Sequence, residues 1–367
     1  MNLFSPESIA AAAANGYDLV CGGGVGDLRR TPAQILAEGE HRTLYRYRLP
    51  ERFVARGAPV LLVPPLAAPT TCFDLRRGCS LAAHLIDEGH PAYLVDYGEI
   101  GFSDRELGLE AWVQDIIPST IEAVLADSGA PEVQLLGWCL GGIMSLLTVA
   151  ADPRLRVGAV AAIASPFDFT KVPMVAPLRP LLEGEGGTLI TALYRLLGGA
   201  PAPLVRAGYQ LAGLDKYLRK PFTVAAHLDD RDFLAQIEAV DDFTANMVAY
   251  PGRTFGQLYH RFFVVNELAA GTLRLADRQI ELAKVRVPVL AVAGTGDGIA
   301  PVGACRPIVD LLPNAPEVRF ETAPGGHLGV LAGRAARRTT WVYIDEFFAQ
   351  RGPAAPAKSR PARRAAA

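Results

Sequence analysis

Short apolar runs alternate with stretches of helical periodicity from about residue 59 onward. The runs predict buried strands at 59–63, 92–95, 133–136, 157–164, 287–293 and 318–322, since they are apolar on both faces. The periodicity between them predicts helices at 81–88, 112–126 and 339–348. Strands that alternate with helices are typical of a mostly parallel sheet covered on both sides. The pattern therefore predicts an α/β fold.

The alternation stops between about residues 165 and 284. Helical segments such as 228–239 and 262–267 take its place, and we interpret this part as a helical cap inserted into the order of the sheet. The predicted organisation is, in chain order, an N-terminal segment at 1–50, the first part of the core at 51–165, the cap at 166–283, the second part of the core at 284–350 and a disordered basic tail at 351–367.

Residues 1–50 are weakly patterned. Residues 21–26 are glycine-rich, but no strong strand precedes them and no lysine follows at the spacing of a phosphate loop, so we expect a flexible linker. Thr31 followed by Pro32 predicts a helix start, with threonine as the cap and proline at the first position. Residues 44–49 alternate and predict an antiparallel edge strand.

Composition narrows the class of protein. Half of the 367 residues are hydrophobic and 20% are charged, which is compatible with a large core. The net charge of −2 gives no electrostatic reason to expect nucleic acid as a partner. No apolar run approaches the roughly 18–20 residues of a membrane span, and the N-terminus lacks a basic leader region, so we expect a cytoplasmic protein without a transmembrane segment. The five cysteines include no C-x-x-C pair, which favours reduced thiols over disulfides or a zinc site.

The candidate chemistry begins with a cysteine between glycines. Residues 135–142 read Leu-Leu-Gly-Trp-Cys-Leu-Gly-Gly, an apolar strand that breaks at Cys139 and resumes as a helix. Glycines two places before and after the central residue are what a nucleophile elbow requires, because its strained turn brings the strand and the helix close together. A helix start also favours the reactive thiolate. Cys139 is therefore the candidate nucleophile; the alternative is a buried cysteine that only packs.

A candidate acid and a candidate base follow Cys139 in the chain. Asp297 lies on a glycine-rich loop after the run at 287–293, and His327 lies in Gly-Gly-His-Leu-Gly after the run at 318–322. The order nucleophile, acid, base is the one that α/β-hydrolases use, and their reactive loops gather at the carboxyl edge of the sheet. We expect His327 to take the proton of Cys139 and Asp297 to hold the tautomer of the imidazole.

Acyl transfer also needs an oxyanion hole. The main-chain N–H of Leu140 is one candidate donor, and the second is expected in the loop after the run at 59–63, near Leu66 and Ala67. The side chains there are apolar, so the donors would be main-chain groups. With Cys139, Asp297 and His327, these positions predict an α/β-hydrolase fold.

The same residues carry a resemblance to a known family. Gly-Trp-Cys-Leu-Gly-Gly at 137–142 resembles the G-x-C-x-G-G box of polyhydroxyalkanoate synthases, and few α/β-hydrolase relatives have cysteine there. Val-Pro-Pro-Leu at 63–66, Val-Asp-Tyr-Gly at 95–98, Asn-Glu-Leu at 266–268 and the Gly-Gly-His-Leu-Gly loop are also similar to that family. The similarity covers roughly residues 30–348, and the length resembles that of the shorter, class III and class IV, catalytic subunits.

The resemblance implies an acyltransferase that polymerises (R)-3-hydroxyacyl-CoA into a polyester and releases CoA. Cys139 would carry the acyl chain as a thioester, His327 would activate Cys139, and Asp297 would also help to activate the substrate hydroxyl. No cofactor or metal is implied, since the CoA thioester is the substrate. The family further implies a homodimer, a second synthase subunit as partner, and a location in the cytoplasm or at the surface of polyester granules.

Other functions remain open from the residues alone. A hydrolase of the same fold, acting as a thioesterase or polyester hydrolase, would use the same three residues with water as the acceptor. A non-catalytic scaffold is disfavoured, because all three catalytic positions are filled. The bulky Trp138 and Leu140 beside the cysteine either pack the elbow or narrow the acyl pocket, and the sequence leaves that choice open.

Overall fold

The structure, a computed structural model, describes residues 5–173, 175–176, 185–276 and 278–350. Its central sheet has eight strands, labelled β1 to β8 in chain order: Ala33–Gly39, Arg42–Tyr47, Val60–Val63, Ala92–Asp96, Val133–Trp138, Val157–Ile163, Val289–Gly294 and Val318–Ala323. Their spatial order is β1-β2-β4-β3-β5-β6-β7-β8. The first two pairs, β1 with β2 and β2 with β4, are antiparallel, and the other neighbours are parallel.

Helices cover both faces of this sheet. Every residue of β3, β5 and β7 is buried, and two large apolar clusters lie on the sheet's two sides. The helices of the described residues are Pro6–Val20, Leu81–Asp87, Leu109–Ala111, Ile117–Ser128, Leu140–Ala151, Glu185–Leu197, Ala202–Ala212, Leu214–Ala226, Arg231–Ala245, Gly252–Gln257, Val302–Cys305, Ile308–Leu311, Gly329–Ala332 and Thr340–Ala349, with π-helical turns at Trp112–Ile116 and Leu258–Val264. The predicted fold class, a mostly parallel sheet flanked by helices, is confirmed.

A mainly helical cap is inserted between β6 and β7. Its helices run from Glu185 to Gln257, and it also contains short paired strands that the sequence pattern did not predict, namely Gly199–Ala200 with Tyr250–Pro251 and Thr272–Leu275 with Arg278–Glu281. The domain boundaries drawn from the sequence stay predictions, and the tail at 351–367 lies outside the described residues. Within the described part of the chain, no helix combines the length and the apolar character needed to cross a membrane.

The helix predicted to start at Thr31 is wrong. Ala33–Gly39 is strand β1, which pairs with β2. The main-chain N–H and the hydroxyl of Thr31 donate to the buried carboxylate of Asp74 at 2.6 and 2.9 Å, so the threonine is held by a tertiary partner instead of capping a helix. The predicted strand at 44–49 is antiparallel as expected, but it corresponds to the inner strand β2, and the edge of the sheet is β1.

The flexible linker predicted at 21–26 is also wrong. The main-chain N–H groups of Val25 and Gly26 both donate to the carboxylate of Glu238 in the cap, at 2.8 Å. The preceding helix, Pro6–Val20, which the pattern did not predict, contacts the cap as well, because the side-chain amide of Asn15 donates to the carbonyl of Leu228 at 2.8 Å. The glycine-rich turn therefore binds an anion, but the anion is a carboxylate of its own chain.

Candidate active site

Cys139 lies at the sharp turn between strand β5 and helix Leu140–Ala151. Its φ and ψ angles are 54° and −121°, a conformation that costs energy for any residue with a side chain. The neighbouring glycines make the turn possible. A Cβ atom at Gly137 would overlap the backbone of Gly141 and Gly142, and one at Gly141 would overlap the carbonyl oxygen of Val63 in β3. The structure thus has the strained strand–turn–helix geometry that the glycine spacing predicts, and the role of Cys139 as nucleophile stays a prediction.

Replacing Gly141 by alanine measures this close approach. We expect the free energy of unfolding to fall by about 1–3 kcal/mol, the usual cost of overpacking, since the added Cβ has only backbone to displace. Gly16→Ala is the matched control, because a Cβ at Gly16 meets no atom within 4 Å and the residue lies in a helix. Urea unfolding followed by circular dichroism compares the two variants. Equal stability of Gly141→Ala and Gly16→Ala would contradict the close approach of β3 to the elbow.

The structure brings His327 and Asp297 together with Cys139. Nδ1 of His327 lies 2.8 Å from Oδ2 of Asp297, and the imidazole is near enough to the side chain of Cys139 for that side chain to raise the pKa of His327. The other carboxylate oxygen of Asp297, Oδ1, accepts the main-chain N–H groups of Ile299 and Ala300 at 2.8 Å each. Both side chains are buried, with 8% of His327 and 6% of Asp297 exposed. The two loops follow β7 and β8, at the carboxyl edge of the sheet.

Electrostatics favour the charged forms of the His327–Asp297 pair. Burial alone would lower the pKa of His327, but the interactions of the imidazole with Cys139 and Asp297, including its hydrogen bond to Asp297, outweigh burial and raise the pKa to about 10. Burial would raise the pKa of Asp297, but the charge of His327 and the hydrogen bonds from His327, Ala300 and Ile299 hold that pKa below its usual value.

The candidate oxyanion loop reaches the elbow from β3. Leu66 and Ala67 are buried, and Ala67 has a φ of 61°, which is unusual for a residue other than glycine. The N–H of Val248, in the cap, donates to the carbonyl of Ala67 at 3.1 Å, so the cap holds this loop in place. Leu140 is the first residue of its helix, where main-chain N–H groups lack acceptors within the helix. The geometry is compatible with the three predicted donors, whose role stays a prediction.

Two cavities open near these residues. A cavity of about 860 Å³ lies between the cap and the loops of Asp297 and His327, and His327 itself lines it. Arg206, Arg219 and Lys220 also line it, and Lys220 pairs with Asp241 on the same wall. A smaller cavity of about 250 Å³ is lined by the oxyanion loop. The larger cavity therefore leads from the cap to the side chain of His327.

Sequence reasoning missed the cap residues that surround the site. Tyr209 lines the larger cavity, and burial together with the charges of Asp297 and Cys139 raises its pKa, so its hydroxyl stays protonated. Nothing in the local pattern marks Tyr209, because its position depends on how the cap folds over the sheet.

Of the two bulky elbow neighbours, Trp138 is 1% and Leu140 is 6% exposed, and both pack in the core clusters. Their contacts support packing of the elbow.

One further group of titratable residues could offer metal ligands. Among the described residues, His84, Glu88 and Asp345 place one ligand atom each within 4.8 Å of one another. Nε2 of His84 already lies 2.9 Å from the carboxylate of Asp345. We interpret this group as an ion pair that joins helix Leu81–Asp87 to helix Thr340–Ala349.

The chain is similar to proteins named poly(3-hydroxyalkanoate) polymerase subunit PhaC. It is 25% identical to that of Haloferax mediterranei over 88% of this chain and 64% of the relative. It is 26% identical to that of Allochromatium vinosum over 84% of this chain and 86% of the relative, and 25% identical to that of Cupriavidus necator over 85% of this chain and 53% of the relative. The chain thus spans just under two thirds of the first of these proteins. No family model matches the chain.

Solved structures have the same fold. The α/β-hydrolase domain-containing protein 10 from mouse matches with a TM-score of 0.50 and 16% identity, over 87% of this chain and 98% of the other. A monoacylglycerol lipase from Paleococcus ferrophilus matches with a TM-score of 0.51 and 18% identity, over 84% and 99%. The α/β-hydrolase fold predicted from the sequence is therefore confirmed, as is the resemblance to the polymerases that the motifs carry.

Proposed function

We propose that this chain, which has the α/β-hydrolase fold and resembles poly(3-hydroxyalkanoate) polymerases, is an acyltransferase that builds a polyester from (R)-3-hydroxyacyl-CoA. The observation that carries the proposal is a cysteine at a strained elbow, beside a buried histidine–aspartate pair whose histidine pKa the cysteine raises. A cysteine triad fits acyl transfer from one thioester to another. The similarity to the polymerases over most of the chain supports the substrate class.

The first half of the proposed reaction loads the enzyme. The thiolate of Cys139 attacks the carbonyl carbon of the acyl-CoA, and the negative oxygen that forms is stabilised by main-chain N–H groups of Leu140 and of the loop at Leu66 and Ala67. The bond from that carbon to the sulfur of CoA then breaks, and His327 gives a proton to the departing sulfur. The product is an acyl thioester on Cys139 and free CoA.

The second half lengthens the chain. The hydroxyl of another 3-hydroxyacyl group gives its proton to His327, with Asp297 stabilising the imidazolium, and its oxygen attacks the thioester carbon. The carbon–sulfur bond to Cys139 breaks, and an ester bond replaces it. Cysteine suits this cycle because exchange between two thioesters is close to thermoneutral and keeps the acyl group reactive. The reaction uses no cofactor, since CoA enters as part of the substrate.

The cap has exposed apolar side chains that support an interaction with other proteins. Three successive cap helices carry strongly exposed apolar side chains, with Leu196 at 77%, Leu211 at 64% and Phe222 at 78% exposure. Exposed apolar surface of this kind is typical of interaction sites. We propose a homodimer that works with a second synthase subunit in the cytoplasm, at the surface of the polyester granule.

Product analysis separates this proposal from a hydrolase. Purified protein is incubated with (R)-3-hydroxybutyryl-CoA, with and without a candidate second subunit, and released CoA, polymer and free 3-hydroxybutyrate are measured together. We expect each CoA released to be matched by one unit of polymer, because the cap and the cysteine favour a hydroxyl acceptor over water. Free acid in step with CoA, without polymer under either condition, would contradict the proposal and identify a thioesterase that uses the same triad.

A further inference from the structure

Trp138 precedes the nucleophile in the chain, yet its side chain contacts the base. Its indole N–H donates to the main-chain carbonyl of His327 at 3.1 Å in a buried hydrogen bond. Its ring lies 4.9 Å from the imidazole of His327, tilted by 39°. One side chain therefore contacts both the backbone and the ring of His327, while its own backbone leads directly into Cys139.

The loop that carries His327 needs such a contact. It reads Pro-Gly-Gly-His-Leu-Gly, and Gly325 has a φ of 137°, so the local sequence allows many backbone conformations. The carbonyl of Gly325 accepts the N–H of Gly296 and that of Gly326 accepts the N–H of Val330, both at 2.9 Å. Trp138 adds the bond at His327 itself. A misplacement of about 1 Å at a reacting centre can cost about 100-fold in rate. The hydrogen bond from Trp138 therefore fixes the residue whose position affects the rate most.

The ring contact also has an electrostatic consequence. The charges of Cys139 and Asp297 keep His327 protonated in the resting pair. The face of an aromatic ring attracts a cation within about 6 Å, and tryptophan does so most strongly. The indole therefore stabilises the imidazolium more than the neutral imidazole.

A second contact of Trp138 reaches the cap. Phe243, on the cap helix Arg231–Ala245, lies 5.9 Å from the indole in an edge-on arrangement and is fully buried. Tyr209, on another cap helix, lies 6.2 Å from Phe243 and lines the cavity over His327. These rings form a continuous row from the base to the cap, so a displacement of the cap helix changes the packing that fixes the indole.

We propose that Trp138 is a positioning residue, which holds the loop of His327 at the nucleophile and couples that position to the cap through Phe243. The proposal rests on the proposed roles of Cys139 and His327 and adds a residue that acts through His327. The reactivity of the cysteine then depends on whether the cap helix is seated against the indole.

The test measures thiol alkylation by iodoacetamide and uses no acyl-CoA. The rate at Cys139 is followed by mass spectrometry of its peptide as a function of pH, with the exposed Cys21 as a reference in the same sample. Trp138→Phe keeps an aromatic ring and removes the N–H donor. We expect the increase of the Cys139 alkylation rate with pH to occur about one pH unit higher in this variant, because the imidazolium is held less firmly beside the thiolate. Phe243→Leu should move it in the same direction by less, and the Cys21 profile should stay unchanged.

Trp341→Phe is the matched control. Trp341 is also buried, its indole N–H donates to the carbonyl of Leu331 at 2.8 Å, and its ring contacts His84. We expect this variant to lower the thermal midpoint without moving the Cys139 profile. An unchanged profile in Trp138→Phe, or equal shifts in both tryptophan variants, would overturn the proposal. Because alkylation involves no acyl transfer, a wild-type protein that makes no polymer would refute the proposed function without changing this result.

Discussion

Replacement of Cys139 by alanine is expected to reduce CoA release from 3-hydroxyacyl-CoA by about four orders of magnitude or more, to the uncatalysed background. The reason is that no other group at the elbow can form the acyl intermediate. Cys139 lies where the elbow glycines bring β3 and the helix together, with the imidazole of His327 beside it. Release of CoA is measured with a thiol reagent at saturating substrate.

Two further variants make the Cys139→Ala result specific. Cys21→Ala removes the exposed thiol of the N-terminal turn and should leave the rate unchanged. Cys139→Ser replaces the sulfur by an oxygen nucleophile of similar shape, but a hydroxyl ionises far less readily than a thiol, so we expect this variant to lose most of the activity as well. Should Cys139→Ala retain the wild-type rate, acyl transfer through this site would be excluded for both synthase and hydrolase.

Asp297→Asn is expected to lower the rate by about 10³- to 10⁴-fold, with the fold intact. Oδ1 of Asp297 accepts the N–H groups of Ile299 and Ala300, and Oδ2 accepts from Nδ1 of His327. In the variant the amide oxygen keeps the two backbone bonds, so the amide NH₂ faces Nδ1 and forces the imidazole to accept there. The imidazole proton then lies on Nε2, toward Cys139, and the ring no longer takes the thiol proton.

The chain offers a matched histidine–aspartate pair as a control for Asp297→Asn. Nε2 of His84 lies 2.9 Å from the carboxylate of Asp345, on two helices of the core. Asp345→Asn breaks a hydrogen bond of the same type, and we expect a small loss of stability with an unchanged rate. If Asp297→Asn and Asp345→Asn reduced the rate equally, the effect would be one of general stability, and the triad assignment would fail.

Much of the site could be predicted from the sequence because its signals are local. The elbow depends on glycines within a few residues of Cys139, and the loops of Asp297 and His327 each follow an apolar strand directly. Parallel strands bring such loops to one edge whatever their separation in the chain. The strands and the order nucleophile, acid, base therefore sufficed to place three side chains together.

Contacts between segments that are distant in the chain could not be predicted from the sequence. Thr31 has the local pattern of a helix cap, but its partner is the buried Asp74, and the chain continues as strand β1. The glycines at 21–26 suggest a linker until Glu238 of the cap supplies two hydrogen bonds. The contact of Trp138 with Phe243 is of the same kind. In each case a contact with a distant segment overrides the local preference, and the neighbouring sequence does not predict which residue makes that contact.

An acyl group bound to Cys139 is the intermediate on which the proposed reaction depends. Wild-type protein is mixed briefly with (R)-3-hydroxybutyryl-CoA, quenched in acid, and analysed by intact-protein and peptide mass spectrometry. We expect an added mass of one or more hydroxybutyryl units on the peptide that contains Cys139. Neutral hydroxylamine should remove this mass, because it cleaves thioesters, and the mass should be absent from Cys139→Ala. CoA release at the full rate with the acyl group on another residue, or with no acyl group on the protein at any time, would contradict it.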